Sequence, residues 1–416
     1  MNTLQKYLIV ICRVFVGILF IYSGFVKGVD PLGTAYKFND YFVAFNVPWA
    51  SSFSLLLSIL QSLAEFVVGA GILLNLKIKQ SSWGALIFMA IFTPITFVLA
   101  LNNPVHDCGC FGDALILTNW QTFWKNIIVL IPVVYIFSIR KKIENKLKCW
   151  EQWMAIGVAT IFIGVITLYS YQHLPLLDFR PYKIGTHIPD KMEIPEGAPA
   201  DEWESIFVYA KDGSQQEFNI TNLPDSTWTF VDAKHMLIKK GYEPPIHDFS
   251  ITANNGDEIT DFVLADENYS FLLIAHNLEK YSFKNQHKIE EIVNYCAQNG
   301  FNFYGLTASS NDAVSAYFES TTAQFEFYNT DDITLKTIIR SNPGLVLLKG
   351  GTLIEKWHHN DIPEINELNT DLSAASISKY KKNSDNFYIL LLIISGGLMI
   401  SLYLLIRKLV YNENIN

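Results

Sequence analysis

Two cysteines separated by one glycine, Cys108-Gly109-Cys110, stand in a short polar segment between two long apolar runs. A disulfide across a single residue closes a very small ring, and the intervening glycine relieves part of the backbone strain that closure imposes. Strained, accessible disulfides are the more easily reduced ones, which favours electron exchange. As a staple the pair would constrain almost nothing, because the entropy removed from the unfolded chain grows with loop length. His106 and Asp107 precede the pair directly, and a protonated imidazole stabilises a neighbouring thiolate. Two thiolates and an imidazole also make a donor set for Zn or Cu(I). The residues alone leave three readings open: a redox-active pair, an inert disulfide or free thiols, and a metal site.

The elements that position this loop are apolar. Half of the 416 residues are hydrophobic and only 17 % are charged. A bilayer core takes about 20 apolar residues per helix, and six stretches qualify: roughly Tyr7 to Val26, Phe53 to Leu76, Trp83 to Leu101, Phe123 to Ile139, Trp153 to Tyr171 and Phe387 to Ile406. The basic residues Lys6, Lys77, Lys79, Arg140, Lys141, Lys142, Lys146, Lys148, Arg407 and Lys408 all fall on one side when the amino terminus is cytoplasmic. That asymmetry sets orientation. It predicts a multi-pass protein of a bacterial inner membrane with both termini cytoplasmic and residues 173–386 periplasmic. The first run lacks a small-x-small cleavage site and reads as a retained helix, not a signal peptide. The Cys108–Cys110 loop then faces an oxidising compartment, where disulfides persist.

Two ionisable residues lie inside predicted spans. Arg13 is about 12 Å up the first helix and Glu65 about 16 Å up the antiparallel second one, at 1.5 Å per residue. Intramembrane charges are costly and are usually paired or functional, so an Arg13–Glu65 structural pair is expected. Cys12 and Cys149 fall at or near the cytoplasmic side, and Cys296 reads as a buried packing residue of the soluble part.

The run Arg13-Val14-Phe15-Val16-Gly17-Ile18-Leu19-Phe20-Ile21-Tyr22-Ser23-Gly24-Phe25-Val26-Lys27, followed by Asp30-Pro31 and an amphipathic stretch to Phe45, resembles the opening of the DoxX family. The Cys108-Gly109-Cys110-Phe111-Gly112 loop is similar to the methylamine-utilisation MauE branch of that superfamily. The resemblance covers about the first 150 residues. It implies a four-helix membrane bundle and a part in disulfide formation in, or maturation of, a periplasmic protein. Architectural analogy to other membrane thiol oxidoreductases implies a quinone as electron acceptor, although no quinone motif is visible. No other cofactor is indicated, and no metal ligands are assigned.

The remaining part is acidic. Between Gln172 and Asn386 there are 17 Lys and Arg against 32 Asp and Glu, which excludes a nucleic-acid surface, since neutralising phosphates takes clustered basic residues. Leu174 to Ala200 is rich in Pro and Gly and reads as an extended linker. Ile206 to Gly213 with Glu217 to Ile220 reads as a hairpin about an Asp-Gly turn. Further on, a short strand at Phe249 to Thr252, a buried strand at Ser270 to Ala275, a helix at Gln286 to Gln298, a strand at Phe301 to Thr307, a helix at Ala313 to Glu319 and a hairpin from Gly344 to Trp357 follow the order of a thioredoxin fold. Ser341-Asn342-Pro343-Gly344 resembles the segment of that family that carries a cis-proline, with Pro343 in its place. Where a redox member has Cys-x-x-Cys, this chain reads Ala275-His276-Asn277-Leu278. The domain is therefore expected to bind, with Tyr269, His276, Pro343, His358 and His359 as surface contacts.

The sequence thus predicts a polytopic α-helical membrane protein with an α/β thioredoxin-like periplasmic domain. Its parts are a bundle over 1–150, a fifth span over 151–172, a linker and small β unit over 173–245, the thioredoxin-like domain over 246–370, a juxtamembrane linker over 371–386 and a sixth span over 387–406. The expected function is thiol–disulfide exchange or maturation of a periplasmic client, with Cys108, Cys110, His106 and Asp107 at the site and membrane lipids and a client protein as partners. A non-catalytic envelope scaffold and a metal-handling protein are the alternatives.

Overall fold

The computed structural model describes residues 3–371, apart from positions 104, 106, 107 and 212. Its first part is a helical bundle: α1 (Thr3–Val29), α2 (Pro31–Ala44), α3 (Ser54–Leu73), α4 (Ile78–Asn102), α5 (Asn119–Ile139) and α6 (Cys149–Gln172). Five of these, all but α2, are long and apolar enough to cross a bilayer, α3 together with the 3-10 turn Pro48–Phe53 that leads into it. The chain is a multi-pass membrane protein. The sixth expected span, 387–406, lies outside the described residues.

Small residues set the tightest seam. A Cβ on Gly17 would come within 2.6 Å of Leu73, one on Gly69 within 2.6 Å of the Ile21 backbone, and one on Gly24 within 2.4 Å of the Phe66 backbone. Without a hydrophobic drive between helices in lipid, such close backbone approach supplies the packing. The seam also fixes register, and it overturns the expected Arg13–Glu65 pair. Arg13 lies beside the end of α3, donating to the Ile72 and Leu73 carbonyls at 2.9 and 3.0 Å. Glu65 is eight residues further along α3, about 12 Å away at 1.5 Å per residue. Its partner is Lys27, at 2.7 Å. The apolar run stops being readable at Val26, but the helix continues through Val29 and carries Lys27 into the bundle.

Helix α2 crosses the end of the bundle. Pro31 occupies its first turn and the Asp30 carboxylate accepts from Gly33 N at 2.9 Å, a cap that satisfies an otherwise open donor. Ser58 of α3 donates to the Pro31 carbonyl at 2.6 Å and ties α2 down.

The soluble part holds two sheets. β1 (Glu202–Lys211), β2 (Ser214–Asn219) and β3 (Thr229–Lys239) form an antiparallel sheet in the order β2-β1-β3. The expected hairpin is β1–β2, and β3 adds a third strand that the pattern did not announce. A five-stranded sheet, order β6-β5-β4-β7-β8, is built from β4 (Tyr269–Ile274), β5 (Asn302–Thr307), β6 (Glu326–Asn329), β7 (Gly344–Lys349) and β8 (Thr352–His358). β4, β5 and β6 run parallel, β7 runs antiparallel to β4, and β8 turns back antiparallel to β7. The helices are α7 (Ile188–Met192), α8 (Thr260–Leu264), α9 (Gln286–Asn299), α10 (Asn311–Glu319), α11 (Asp332–Ile338) and α12 (Ile365–Asp371). This is a thioredoxin-like sheet with a cis peptide at Asn342-Pro343. Both its faces are buried, as the period-2 alternation of strands requires. Phe271 and Leu273 join Ile289, Ile292 and Cys296 on one side; Leu272 and Ile274 join Leu335, Ile338 and Val346 on the other. Burial pushes the Cys296 thiol up to about 12.

Three expectations fail here. Phe249 to Thr252 is not a strand, although Thr252 makes isolated bridges to Glu258 and Asn329. Leu174 to Met192 is no free linker, because Tyr182 and Ile188 are buried in the domain core and His187 bridges Thr352. Beneath it Asp178 is held between Arg180 Nε at 2.8 Å and Lys356 Nζ at 2.7 Å. Burial alone would raise the Asp178 carboxyl, but these two cations hold it well below the carboxylate range. Finally, Pro343 and His358 are buried, not surface contacts.

Candidate thiol site

The loop between α4 and α5 is shaped by its glycines. Gly109 and Gly112 adopt φ of +63° and +52°, the left-handed region that glycine enters without steric penalty. A Cβ on Gly109 would also strike Lys37 Cγ at 2.9 Å. Gly112 N closes the turn onto the Gly109 carbonyl at 3.1 Å, and Gly112–Ala114 forms a 3-10 turn. Beyond it, Thr118 and Gln121 make a reciprocal capping box that starts α5.

This fold turns both thiols inward. Cys108 and Cys110 are free, with their sulfurs 2.7 Å apart, and Cys108 Sγ lies 3.4 Å from Thr122 Oγ1. Hydrogen bonding by the Cys108 thiol holds Cys110 below the ordinary thiol value against the effect of burial, with Lys125 and Lys27 adding to the lowering. The same contact, together with burial, pushes Cys108 up. One sulfur is thus prepared as the thiolate and the other as its donor. The loop backbone is mounted on the bundle at two points. Tyr41 donates to the Cys108 carbonyl, and Ser23 Oγ lies 2.9 Å from the Cys110 carbonyl and 2.7 Å from Glu65 Oε2.

Ser23 belongs to a buried network under the loop. Lys27 Nζ reaches Ser23 Oγ at 2.9 Å and both Glu65 oxygens at 2.8 and 2.7 Å, and Gln61 donates to Glu65 Oε1 at 2.7 Å. Paired and hydrogen-bonded, these charges meet the condition for ionised groups away from water. Network and thiols share a cavity of about 70 Å³ whose deeper wall is Leu19, Phe20, Phe88, Met89, Phe92 and Val129 and whose polar lining includes Lys37, Tyr41, Lys125 and Asn126. Lys125 Nζ stands 4.4 Å over the Phe111 ring.

The outer side of the loop is covered. Gly109, Gly112 and Asp113 share a small cavity with Pro175, Leu177, Phe179 and Arg180. Arg340, two residues before Asn342, bonds Asp113 at 2.9 Å and Asp30 at 2.9 Å. Asp113 is pushed up by burial against the pull of Arg340.

Of the predicted site residues, Cys108 and Cys110 come together; His106 and Asp107 lie outside the described residues. His276 lines a cleft of about 630 Å³ between the thioredoxin-like domain and the bundle, opposite Tyr36 and Asn39. Among the described residues no three His, Cys, Asp or Glu side chains group as metal ligands. Lys27, Ser23, Gln61, Tyr41 and Arg340 escaped sequence reasoning. For Lys27 and Ser23 a signal existed: four residues apart on a helix, they share a face.

The arrangement defines a membrane bundle with an internal pair of thiols, capped by a cysteine-poor thioredoxin-like domain. Residues 5–139 match the family described as Methylamine utilisation protein MauE, and residues 203–240, the three-stranded sheet, match a domain of unknown function (DUF8463). The chain is similar to Protein TlpB of Flavobacterium psychrophilum, 29% identical over 121 residues, which make up 29% of this chain and 30% of that protein. It therefore spans under a third of the length of this curated relative. A solution structure of a thioredoxin-class protein from Neisseria meningitidis aligns at 14% identity over 30% of this chain and 85% of that one, with a TM-score of 0.25. Residues 5–139 are thus similar to a MauE-type membrane domain, and the five-stranded sheet that follows has a thioredoxin-like strand order.

Proposed function

We propose that the protein is an inner-membrane thiol–disulfide exchange or maturation factor, with both termini cytoplasmic and with the cysteine loop and thioredoxin-like domain on the periplasmic side. The observation that carries this is the pair of apposed sulfurs, Cys108 and Cys110, at the mouth of a cavity that holds Lys27, Glu65 and Lys125. In the oxidised pair, a client thiolate attacks one sulfur and expels the other as a thiolate, leaving a mixed disulfide. A second client thiol then attacks that bond. The client leaves with a disulfide, and Cys108 and Cys110 are left reduced. Cys110, the lower of the two, is the stable leaving thiolate.

The cavity fits a quinone in character, with phenylalanine walls and amino and hydroxyl donors beside the sulfurs. When bound, a quinone would supply the two-electron, two-proton acceptor that reoxidises the pair. Phe20, Phe88 and Phe92 would hold its ring, and Lys125 would donate to one of its oxygens. Ser23 links the Lys27–Glu65 pair to the Cys110 carbonyl.

The test is thiol trapping in native membranes with a mass-tagging maleimide, before and after mild reduction, with Cys108→Ser and Cys110→Ser as controls. A reversible shift assigned to this pair, and a client captured on Cys108 in the Cys110→Ser protein, are expected. Cysteines that stay in one state under every redox condition would overturn the reading and favour a scaffold.

A further inference from the structure

The thioredoxin-like domain has no dithiol, yet the end of its sheet where one would stand faces the bundle. Arg340 is the contact that fixes it there. It is 5% exposed and precedes the cis-proline turn. Its Nε donates to both oxygens of Asp30, the cap of α2, and its Nη2 to Asp113, three residues past Cys110. The Tyr36 ring lies 5.4 Å beneath the guanidinium. A Cβ on Gly33 would fall 2.8 Å from Nη2, so the site is built tightly around the planar group. A planar fork satisfying two acids from different elements is a task that lysine does not reproduce.

The thiols meanwhile line the inner cavity, and Gly109, Gly112 and Asp113 turn the outer side of the loop against residues 175–180. Cys108 is buried there and Cys110 half-buried, so the approach of a protein client to the sulfurs is restricted. We propose that Arg340 is a positioning residue for the thiol chemistry: through Asp113 and Asp30 it holds the domain on the cysteine loop and keeps both sulfurs facing the bundle cavity, and a client gains access only when this bridge opens. The proposal rests on the reading of Cys108 and Cys110 as the reacting pair. It gives the dithiol-free domain a role that does not require a redox centre of its own.

The experiment uses the full chain, reduced with a phosphine and purified in detergent. Alkylation of the pair by a bulky maleimide is timed for the native protein, Arg340→Gln, Asp113→Asn and the double variant. The equilibrium of the pair with dithiothreitol is measured on the same four proteins. Either single change is expected to speed alkylation roughly tenfold, with the double variant no faster than the faster single one, as for residues that act through one contact. Both single changes shift the dithiothreitol equilibrium in the same direction, which general loosening of the domain would not do. Rates within twofold of native in Arg340→Gln overturn the proposal. So does a fast Arg340→Gln beside a silent Asp113→Asn, since the route through the cysteine loop would be gone. Because the two residues belong to different domains, misfolding caused by one change leaves the other as an independent test. Alkylation reads reduced thiols whether or not they carry electrons in the cell, so an inert pair would sink the redox reading and leave this result standing.

Discussion

Arg340 Nη2 lies 2.9 Å from Asp113 Oδ2, 227 positions away along the chain. The contact joins a soluble domain to the cysteine loop of a membrane bundle, three residues from Cys110. Around it the structure keeps charges in matched sets: Arg340 with Asp30 and Asp113, Lys27 with Glu65, Lys356 and Arg180 with Asp178.

Lys27→Met leaves Glu65 with the neutral donors Ser23 and Gln61 inside the bundle. Removing one partner of a buried ion pair costs about 3–5 kcal/mol. Thermal unfolding in detergent is expected to show a clear fall in midpoint, which a second change, Glu65→Leu, partly restores. A Lys27→Met protein as stable as the native one would mean that the pair contributes nothing to the bundle.

Cys108→Ala removes the hydrogen bond that lowers Cys110. The pH midpoint of Cys110 alkylation should then rise, cutting the thiolate fraction near neutral pH. The comparison is between Cys108→Ala and Cys108→Ser, whose hydroxyl keeps a donor. Equal midpoints in the two variants would show that the Cys108 contact does not set the Cys110 thiolate.

Gly24→Val places a branched side chain where even a Cβ meets Phe66 N at 2.4 Å and Ser62 O at 2.8 Å. Overpacking at such a seam costs about 1–3 kcal/mol or more. The expected result is a lowered unfolding midpoint and reduced accumulation in membranes. Gly157→Val, where no atom lies within 4 Å of an added Cβ, should behave as native.

Burial lowers His358 to about 3 and His276 to about 4. Both folded values lie below the unfolded value of about 6.5, so the unfolded state binds more protons between them and stability rises with pH. The contribution is complete above about pH 6.5 and is lost as pH falls toward 4 and 3. Asp178, held low by its two cations, adds a loss below about pH 3.9. Limited proteolysis within residues 246–368 across this range should show protection falling with pH, and His358→Gln should flatten the upper part of the curve. A flat native profile would contradict the assignment.

Much of this was legible in the sequence, for a physical reason: hydropathy and short-range spacing are local. The Cys108-Gly109-Cys110 loop, the apolar runs and the strand–helix order around Ser270 to Trp357 are local patterns. What escaped was set by distance or brevity. Hydropathy ends at the first charge, so Lys27 read as flank although three-dimensional packing makes it the partner of Glu65. β6 has four residues and α11 seven, too short for periodicity to show. β3 is broken in register by an irregularity between Val208 and Tyr209 of its partner strand. Arg340 carries no local mark, because its meaning depends on Asp30, 310 residues away.

The base of the domain is fastened where the chain leaves the bundle. His173, at the end of α6, meets Asp361 at 2.7 Å, and Asn360 donates to the Gln172 carbonyl at 2.7 Å. A body pinned along one edge cannot drift away; it can only swing. With its hinge at His173 and its catch at Arg340, the domain after release stays at high effective concentration over the loop, and closing again requires one rotation instead of a fresh encounter.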